Sequence, residues 1–347
     1  MTLRVLFLGE SWQGSCARAC SASLRRLRCD VHEVDERAFL PRAESRLLRG
    51  TMRVLRPWLV REYNRAVVRA ARDFGPDLVL AFKGPYVSAE TLAELRRLGI
   101  PTYNYYPDTS PAVHGPWLPD ALPEYDCVFY TKCYWDEAFR RSLRLRRAAF
   151  LPHGYDPEIH RPWEIDARER ARLAHAVTVV ATYTRHKEQV LAGLLERLPD
   201  LDLCIWGHQW RERAVVPAVR RRVQGLALTG PTYAKALQAS AINLAIMSGT
   251  VAGAPQGDET TTRTFEIPAS GGFMLHERTR EVCELFEEGQ EVACFASPDE
   301  LARQVRHYLA EPSEREAMRD AGFRRCVPAY SYEQRMATLL AWHRERR

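Results

Sequence analysis

Between Gln256 and Gly272 the chain reads Gln-Gly-Asp-Glu-Thr-Thr-Thr-Arg-Thr-Phe-Glu-Ile-Pro-Ala-Ser-Gly-Gly, a polar, threonine-rich loop running into a short helical stretch that ends at paired glycines. Thr260, Thr261 and Thr262 are of the type that caps a helix start, and such a start leaves backbone N–H groups for a phosphate. Glu266 follows one turn later, where a carboxylate accepts both hydroxyls of a ribose. An ordinary capped helix with a solvated Glu266 accounts for the same residues. A second loop, Glu10-Ser11-Trp12-Gln13-Gly14-Ser15, follows an apolar run. Gly14 and Ser15 are small enough for a ligand to approach, or they make a turn; the GxGxxG spacing of a dinucleotide fingerprint is absent.

Two further patterns could carry chemistry. Asp200-Leu201-Asp202 spells the metal-binding DxD, but it falls between a helix and the start of a strand, the sheet end opposite to where ligands bind, so a solvated turn is expected. The nine cysteines, at positions 16, 20, 29, 127, 133, 204, 283, 294 and 326, form no CxxC pair and no His/Cys cluster. Structural thiols in a reduced compartment follow, with no metal. Residues 42–72 carry nine arginines interleaved with Leu47, Leu48, Val54, Leu55, Trp58, Leu59, Val67 and Val68. Such a helix either rests weakly on anionic lipid or packs on a core with a charged outer face.

The elements that must position these residues alternate. Residues 3–8 read as a strand, followed by the 10–15 loop and a helix through Arg28. Further strands are expected at 31–34, 76–82, 102–105, 127–130 and 149–151, with a helix at 60–73. After a proline-punctuated join near 152–168 the pattern restarts: strands at 177–181, 201–206, 226–228, 242–246 and 273–275, and helices at 188–197, around 233–239, near 263–270 and at 333–344. Strands alternating with helices imply parallel sheets. At 347 residues, two domains are the first expectation. With 50 basic against 44 acidic residues, nucleic-acid binding is not demanded. The N-terminus shows no charged-then-apolar signal, and no apolar run approaches the roughly 18 residues of a membrane span, so a cytoplasmic protein is expected.

The segment Arg263-Thr264-Phe265-Glu266-Ile267-Pro268-Ala269-Ser270-Gly271-Gly272-Phe273 resembles the donor-site motif of group 1 glycosyltransferases, most closely the spore-maturation CgeB-like branch. The resemblance continues through residues 284–291 and 295–301, and through the closing Tyr330-Ser331-Tyr332-Glu333-Gln334-Arg335. Leu151-Pro152-His153-Gly154-Tyr155-Asp156-Pro157 is similar to the family's interdomain segment. Residues 151–340 are covered in this way, and the first 150 match only in pattern.

The resemblance implies the GT-B fold, α/β with two Rossmann-like parallel-sheet domains facing a cleft: an acceptor-side domain over 1–155, a donor domain over 156–330, and a helix over 331–347 packing back toward the first. It implies a glycosyltransferase that moves a sugar from a nucleotide-sugar to an unknown acceptor with retention, without metal or cofactor. In the family two glutamates separated by seven residues hold the donor. Glu266 matches the second; Asp258, a shorter carboxylate, stands at the first, with Glu259 one residue out of register. Basic residues after the first strand of the donor domain neutralise the pyrophosphate, and Thr184-Arg185-His186-Lys187 occupies that place, making Arg185 and Lys187 candidates for stabilising the leaving group. Thr261, Thr262, Arg263, Gly207 and Tyr233 join Glu266 as donor contacts, with Gly14 and Ser15 from the first half. Asp108 and His114, after a strand of the first half, fall on the acceptor side, where His114 could shuttle protons. Two other readings share the architecture: a nucleotide-sugar epimerase, which needs no acceptor, and a carbohydrate-binding protein that has lost catalysis.

Overall fold

The computed structural model describes residues 2–41, 46–225, 227–251 and 253–346, with the backbone alone for 46–51. The chain forms two compact units. One comprises Met1–Pro152, Val251–Pro255 and Met336–Arg347; the other comprises His153–Thr250 and Gln256–Arg335.

The first unit holds a six-stranded sheet of β1 (Arg4–Leu8), β2 (Asp30–Val34), β3 (Leu78–Phe82), β4 (Thr102–Tyr106), β5 (Cys127–Tyr130) and β6 (Ala148–Phe150), in the order β2-β1-β3-β4-β5-β6. All neighbours are parallel. Strands covered on both faces read as continuous apolar runs, which is why β1, β3 and β5 stand out in the sequence. Val5, Leu6, Leu8, Leu78, Val79 and Leu80 are fully buried. The helix Arg46–Phe74 buries Val60, Tyr63, Val67 and Ala71 against this core. The C-terminal residues of the chain belong here too: His343 Nδ1 lies 2.7 Å from the Tyr103 hydroxyl, and Trp342 packs edge-on against Tyr103 and Phe129.

The second unit repeats the plan with β7 (Val177–Val180), β8 (Leu203–Trp206), β9 (Val223–Gly225), β10 (Ile242–Ala245), β11 (Met274–Glu277) and β12 (Ala293–Phe295), in the order β12-β11-β10-β7-β8-β9, again all parallel. The strand expected at 226–228 lies instead at β9, and Leu226 itself is outside the described residues. The segments flanking this unit hold one another. Tyr155 bridges Ser331, the Tyr155 amide donates to the Tyr330 carbonyl at 3.2 Å, and Arg335 Nε donates to the His153 carbonyl at 3.1 Å. Gly154 fits between them because a Cβ there would stand 2.8 Å from the Tyr330 carbonyl oxygen.

In each sheet the strand order reverses once, at β1/β3 in the first unit and β7/β10 in the second. Open parallel sheets bind ligands beyond the carboxyl ends of the strands at that point.

Candidate functional site

At the β7/β10 switch point of the second unit, the loop after β7 leads into the helix Arg185–Arg197. Thr184 caps this helix, its hydroxyl accepting from the Lys187 amide at 3.3 Å. The cap places Lys187 in the first turn with its side chain inward, 2% exposed, and its Nζ donates to Ser248 Oγ, after β10, at 3.1 Å. Arg263 donates to the Ile246 carbonyl at 2.9 Å, which brings its charge to the same end of β10. Asp258 is tied there by its amide, which donates to the Ser248 carbonyl at 3.1 Å. Burial first, and then the Arg263 guanidinium, pull the Lys187 ammonium down to about 7, with Asp258 and Glu277 opposing.

Glu277, at the end of β11, accepts from His186 Nε2 and from the Met247 amide, both at 2.8 Å. Those bonds hold its carboxyl below the usual range although burial raises it, and the same carboxylate lifts His186. Behind this row, the Thr264 hydroxyl accepts from the Thr261 amide at 3.1 Å and meets His276 Nε2 at 2.9 Å. His276 is fully buried, which pulls its imidazole down to about 4 and keeps it neutral.

Glu266 forms a second group. It is 8% exposed in the helix Arg263–Ala269, and the Tyr233 hydroxyl donates to its Oε2 at 2.8 Å. His160 accepts the Asp156 amide proton on Nδ1 at 3.0 Å, so its Nε2 carries the hydrogen and faces Glu266 Oε1 at 3.8 Å. Burial lowers His160 against the pull of Glu266, leaving a neutral ring edge-on to Tyr233. A buried carboxylate fixed by a tyrosine is not the solvated glutamate that the sequence left open.

Several expectations change. Thr262, at the cap position of the helix Arg263–Ala269, has a helical backbone and makes no side-chain cap bond, while Thr264 takes the Thr261 amide from inside the helix. Arg185, at the first position of its helix, is exposed, with Tyr183, which bonds Glu188, among the groups its charge acts on. Lys187 and Arg263 form a buried-end pair of cations, and Arg185 is the exposed cation of the three. Glu259 accepts from the Glu281 amide at 2.9 Å, which leaves Asp258 as the carboxylate beside Lys187. Gly207 has φ +143° and a Cβ there would lie 1.9 Å from the Ala181 carbonyl oxygen, so packing in itself demands glycine. Asp202 of the DxD accepts from the Ala176 amide at 2.9 Å and meets His175 at 3.0 Å, a fastening at the amino end of the sheet. Among the described residues Cys283, Glu288 and Cys294 bring metal-ligand atoms within 4.8 Å of one another, with Arg278 donating to Glu288 at 2.6 Å.

The first unit gathers charge at its own β1/β3 switch point. Lys83, just after β3 with φ +64°, contacts Asp108 at 2.7 Å, and His114 Nε2 contacts the same carboxylate oxygen at 2.8 Å. Burial opposes ionisation of Asp108, but the hydrogen bond from His114 and the Lys83 charge hold it below the usual carboxylate range. Asp108 in turn raises Lys83 against its own burial. Glu36, 6% exposed at the end of β2, is pushed up to about 7 by burial and then by Glu10, and Glu10 pairs with Arg37 at 2.9 Å. Gly14 has φ +96°, and Ser15 caps the helix Cys16–Arg26, accepting from the Ala17 amide at 3.1 Å. Lys83, Glu36, Glu277, Ser248 and His160 were not singled out in the sequence. Lys83 carries a signal, a lysine-glycine pair directly after a continuous apolar strand; the others carry none.

Residues 162–341 match the family described as glycosyl transferase-like. The chain belongs to that family. No curated protein is a match. Among solved structures, sucrose-phosphate synthase from Thermosynechococcus elongatus is similar over 99% of this chain and 98% of its own, with 13% identity and a TM-score of 0.65. HepE of Anabaena in complex with UDP covers 99% of this chain and 100% of its own at 14% identity and TM-score 0.61. A UDP-N-acetylglucosamine 2-epimerase covers 100% and 98% at 10% identity and TM-score 0.57. These likenesses establish the GT-B fold of the glycosyl transferase-like chain.

Proposed function

We propose that this glycosyl transferase-like protein takes a sugar from a nucleotide-sugar donor bound at the carboxyl end of the β7–β12 sheet and moves it to an acceptor held by the first unit. The reading rests on Lys187. A buried ammonium whose one hydrogen bond among the described residues goes to a neutral serine, with a guanidinium depressing its proton affinity, is matched by an anion, and a diphosphate supplies one. Charge developing on a leaving diphosphate would be met by Lys187 and Arg263 without a metal. Glu266, fastened by Tyr233, is assigned to the ribose, Asp258 to the sugar side, and Asp108 and His114 to the acceptor. HepE was solved with UDP and with UDP-glucose, which favours a uridine donor as the first probe.

Retention follows the family resemblance. Inversion has a specific observation in its favour, the Asp108–His114 pair at 2.8 Å, since a histidine oriented by a carboxylate can deprotonate an acceptor for direct displacement. The anomeric configuration of the product, read by NMR, separates the two. The donor incubated alone tests the epimerase reading, in which it would change without an acceptor; a carbohydrate-binding protein would leave it unchanged with every acceptor. For the site itself, Glu266→Ala is expected to weaken UDP binding about tenfold or more by calorimetry, in line with the loss of charged hydrogen bonds. Unchanged binding would remove Glu266 from the donor site.

A further inference from the structure

The helix Arg46–Phe74 is two structures in one. Its second half buries Val60, Tyr63, Val67 and Ala71 on one face. In its first half Arg53, Val54, Leu55, Arg56, Pro57 and Trp58 are all exposed in succession, Val54 to 79%, Leu55 to 43% and Trp58 to 58%. The apolar residues there do not continue the core-facing stripe. At about 100° per residue, the centre of Val54, Leu55 and Trp58 falls roughly 180° from that of Val60, Tyr63, Val67 and Ala71. A stripe on that side cannot serve the unit's own core, so its exposure follows from register.

Charge is sorted about the same axis. Residues 46–61 contain five arginines and no aspartate or glutamate. Arg53 and Arg56 lie across the helix from Leu55 and Trp58, and neither they nor Arg61 make an ion pair among the described residues. An apolar face bearing a tryptophan, opposed by a wholly cationic face, is the pattern of a helix lying in the plane of an anionic bilayer, with apolar side chains below the headgroups and arginines at phosphate level. A second copy of the chain fits less well, because a two-fold interface through this segment would bring arginine against arginine. Nucleic acid offers no counterpart for the apolar face.

We infer that residues 52–61 are a peripheral membrane anchor that binds anionic lipid, a property separate from the proposed donor site. The test uses the full chain with vesicles in which about a third of the lipid is phosphatidylglycerol, against pure phosphatidylcholine. Wild type is expected to float with the anionic vesicles at low salt, to be released at high salt and to ignore the neutral ones. Arg53→Gln with Arg56→Gln should weaken partitioning about 25-fold, roughly fivefold per arginine. Leu55→Gln with Trp58→Gln should abolish it, and because all four side chains are exposed both variants should melt with the wild type. Equal binding to both vesicle types, no binding at low salt, or wild-type binding by the Leu55/Trp58 variant would each overturn the inference. So would a concentration-dependent dimer lost in that variant without any vesicle binding, which would give the surface to a second copy.

Discussion

If Lys187 meets the donor diphosphate as proposed, nucleotide binding is sensitive to pH in a direction that can be worked out beforehand. The Lys187 ammonium ordinarily titrates near 10.5 and is pulled here to about 7 by burial and by Arg263. A bound diphosphate restores the charged form, so near neutrality nucleotide binding should take up a proton. If the ligand binds only the protonated lysine, affinity falls as pH rises above 7, by about fivefold from pH 7 to 8 and about 50-fold from pH 7 to 9. Uptake should be about 0.5 proton per UDP at pH 7 and about 0.9 at pH 8. Terminal phosphates ionise near 6, so the ligand's own titration is largely complete over this range. Calorimetry with UDP in two buffers of different ionisation enthalpy measures both quantities. His186 is the neighbouring group that could imitate the effect, since Glu277 raises it; Lys187→Gln should remove the uptake and His186→Asn should leave it. Without ligand the sign is opposite to that of a stabilising ion pair: the unfolded chain binds the extra proton between about 7 and 10.5, so stability rises with pH across that window. The full depression is worth up to about 5 kcal/mol. A dissociation constant that stays flat from pH 7 to 9, with no buffer-dependent heat, would refute the assignment of Lys187 to the diphosphate.

Three further outcomes follow from the geometry. Tyr233→Phe removes the hydroxyl that donates to Glu266 at 2.8 Å, and a hydrogen bond to a charged group is worth about 1.5 kcal/mol or more, so UDP should bind roughly tenfold more weakly by calorimetry. Lys83→Met takes the cation from Asp108 in the other unit; the constant for UDP should not move, and a loss comparable to that of Lys187→Gln would put the diphosphate in the wrong unit. Gly207→Ala sets a Cβ 1.9 Å from the Ala181 carbonyl oxygen, and at a cost of about 3 kcal/mol or more the melting temperature should drop by many degrees. A Gly207→Ala protein that melts like wild type but fails to bind UDP would make Gly207 a donor contact rather than a packing residue.

What could be read from the sequence was what local patterns encode. β3 and β5 are buried on both faces and appear as uninterrupted apolar runs, as does β1 after Arg4, and β7 is broken only by the buried Thr178. β12 is only Ala-Cys-Phe, too short for any period to register, and β9, Val-Gln-Gly, carries little apolar signal. Glu266 and Lys187 could be singled out because each falls in a segment that resembles a family motif near a helix start. Ser248, Glu277 and His160 were not, since they come from the ends of β10 and β11 and from the segment after Tyr155, and only the sheet order brings them to the same edge. Arg185 and Lys187 share the same segment, yet only Lys187 is buried. They are two residues apart, about 200° around the helix, so one turns in when the other turns out.

Each unit carries a lysine near the carboxyl end of its sheet, Lys83 directly after β3 and Lys187 in the first turn of the helix after β7, and the two are tuned in opposite senses. Lys83 is raised by Asp108, which it contacts directly and which His114 also supports; its charge is already balanced. Lys187 is lowered, bonds a neutral hydroxyl, and shares its surroundings with Arg263. A site whose positive charge has its counterion gains little from binding an anion, because the protein carboxylate must first be displaced. A site whose lysine is not held in a direct ion pair gains the relief of its repulsion from Arg263 as well as the new contact. The contrast is one of contact: Lys83 sits in a direct ion pair with Asp108, whereas Lys187 feels Asp258 and Glu277 but donates its hydrogen bond to Ser248, and on the proposed reading this leaves the second unit the one that gains from a diphosphate.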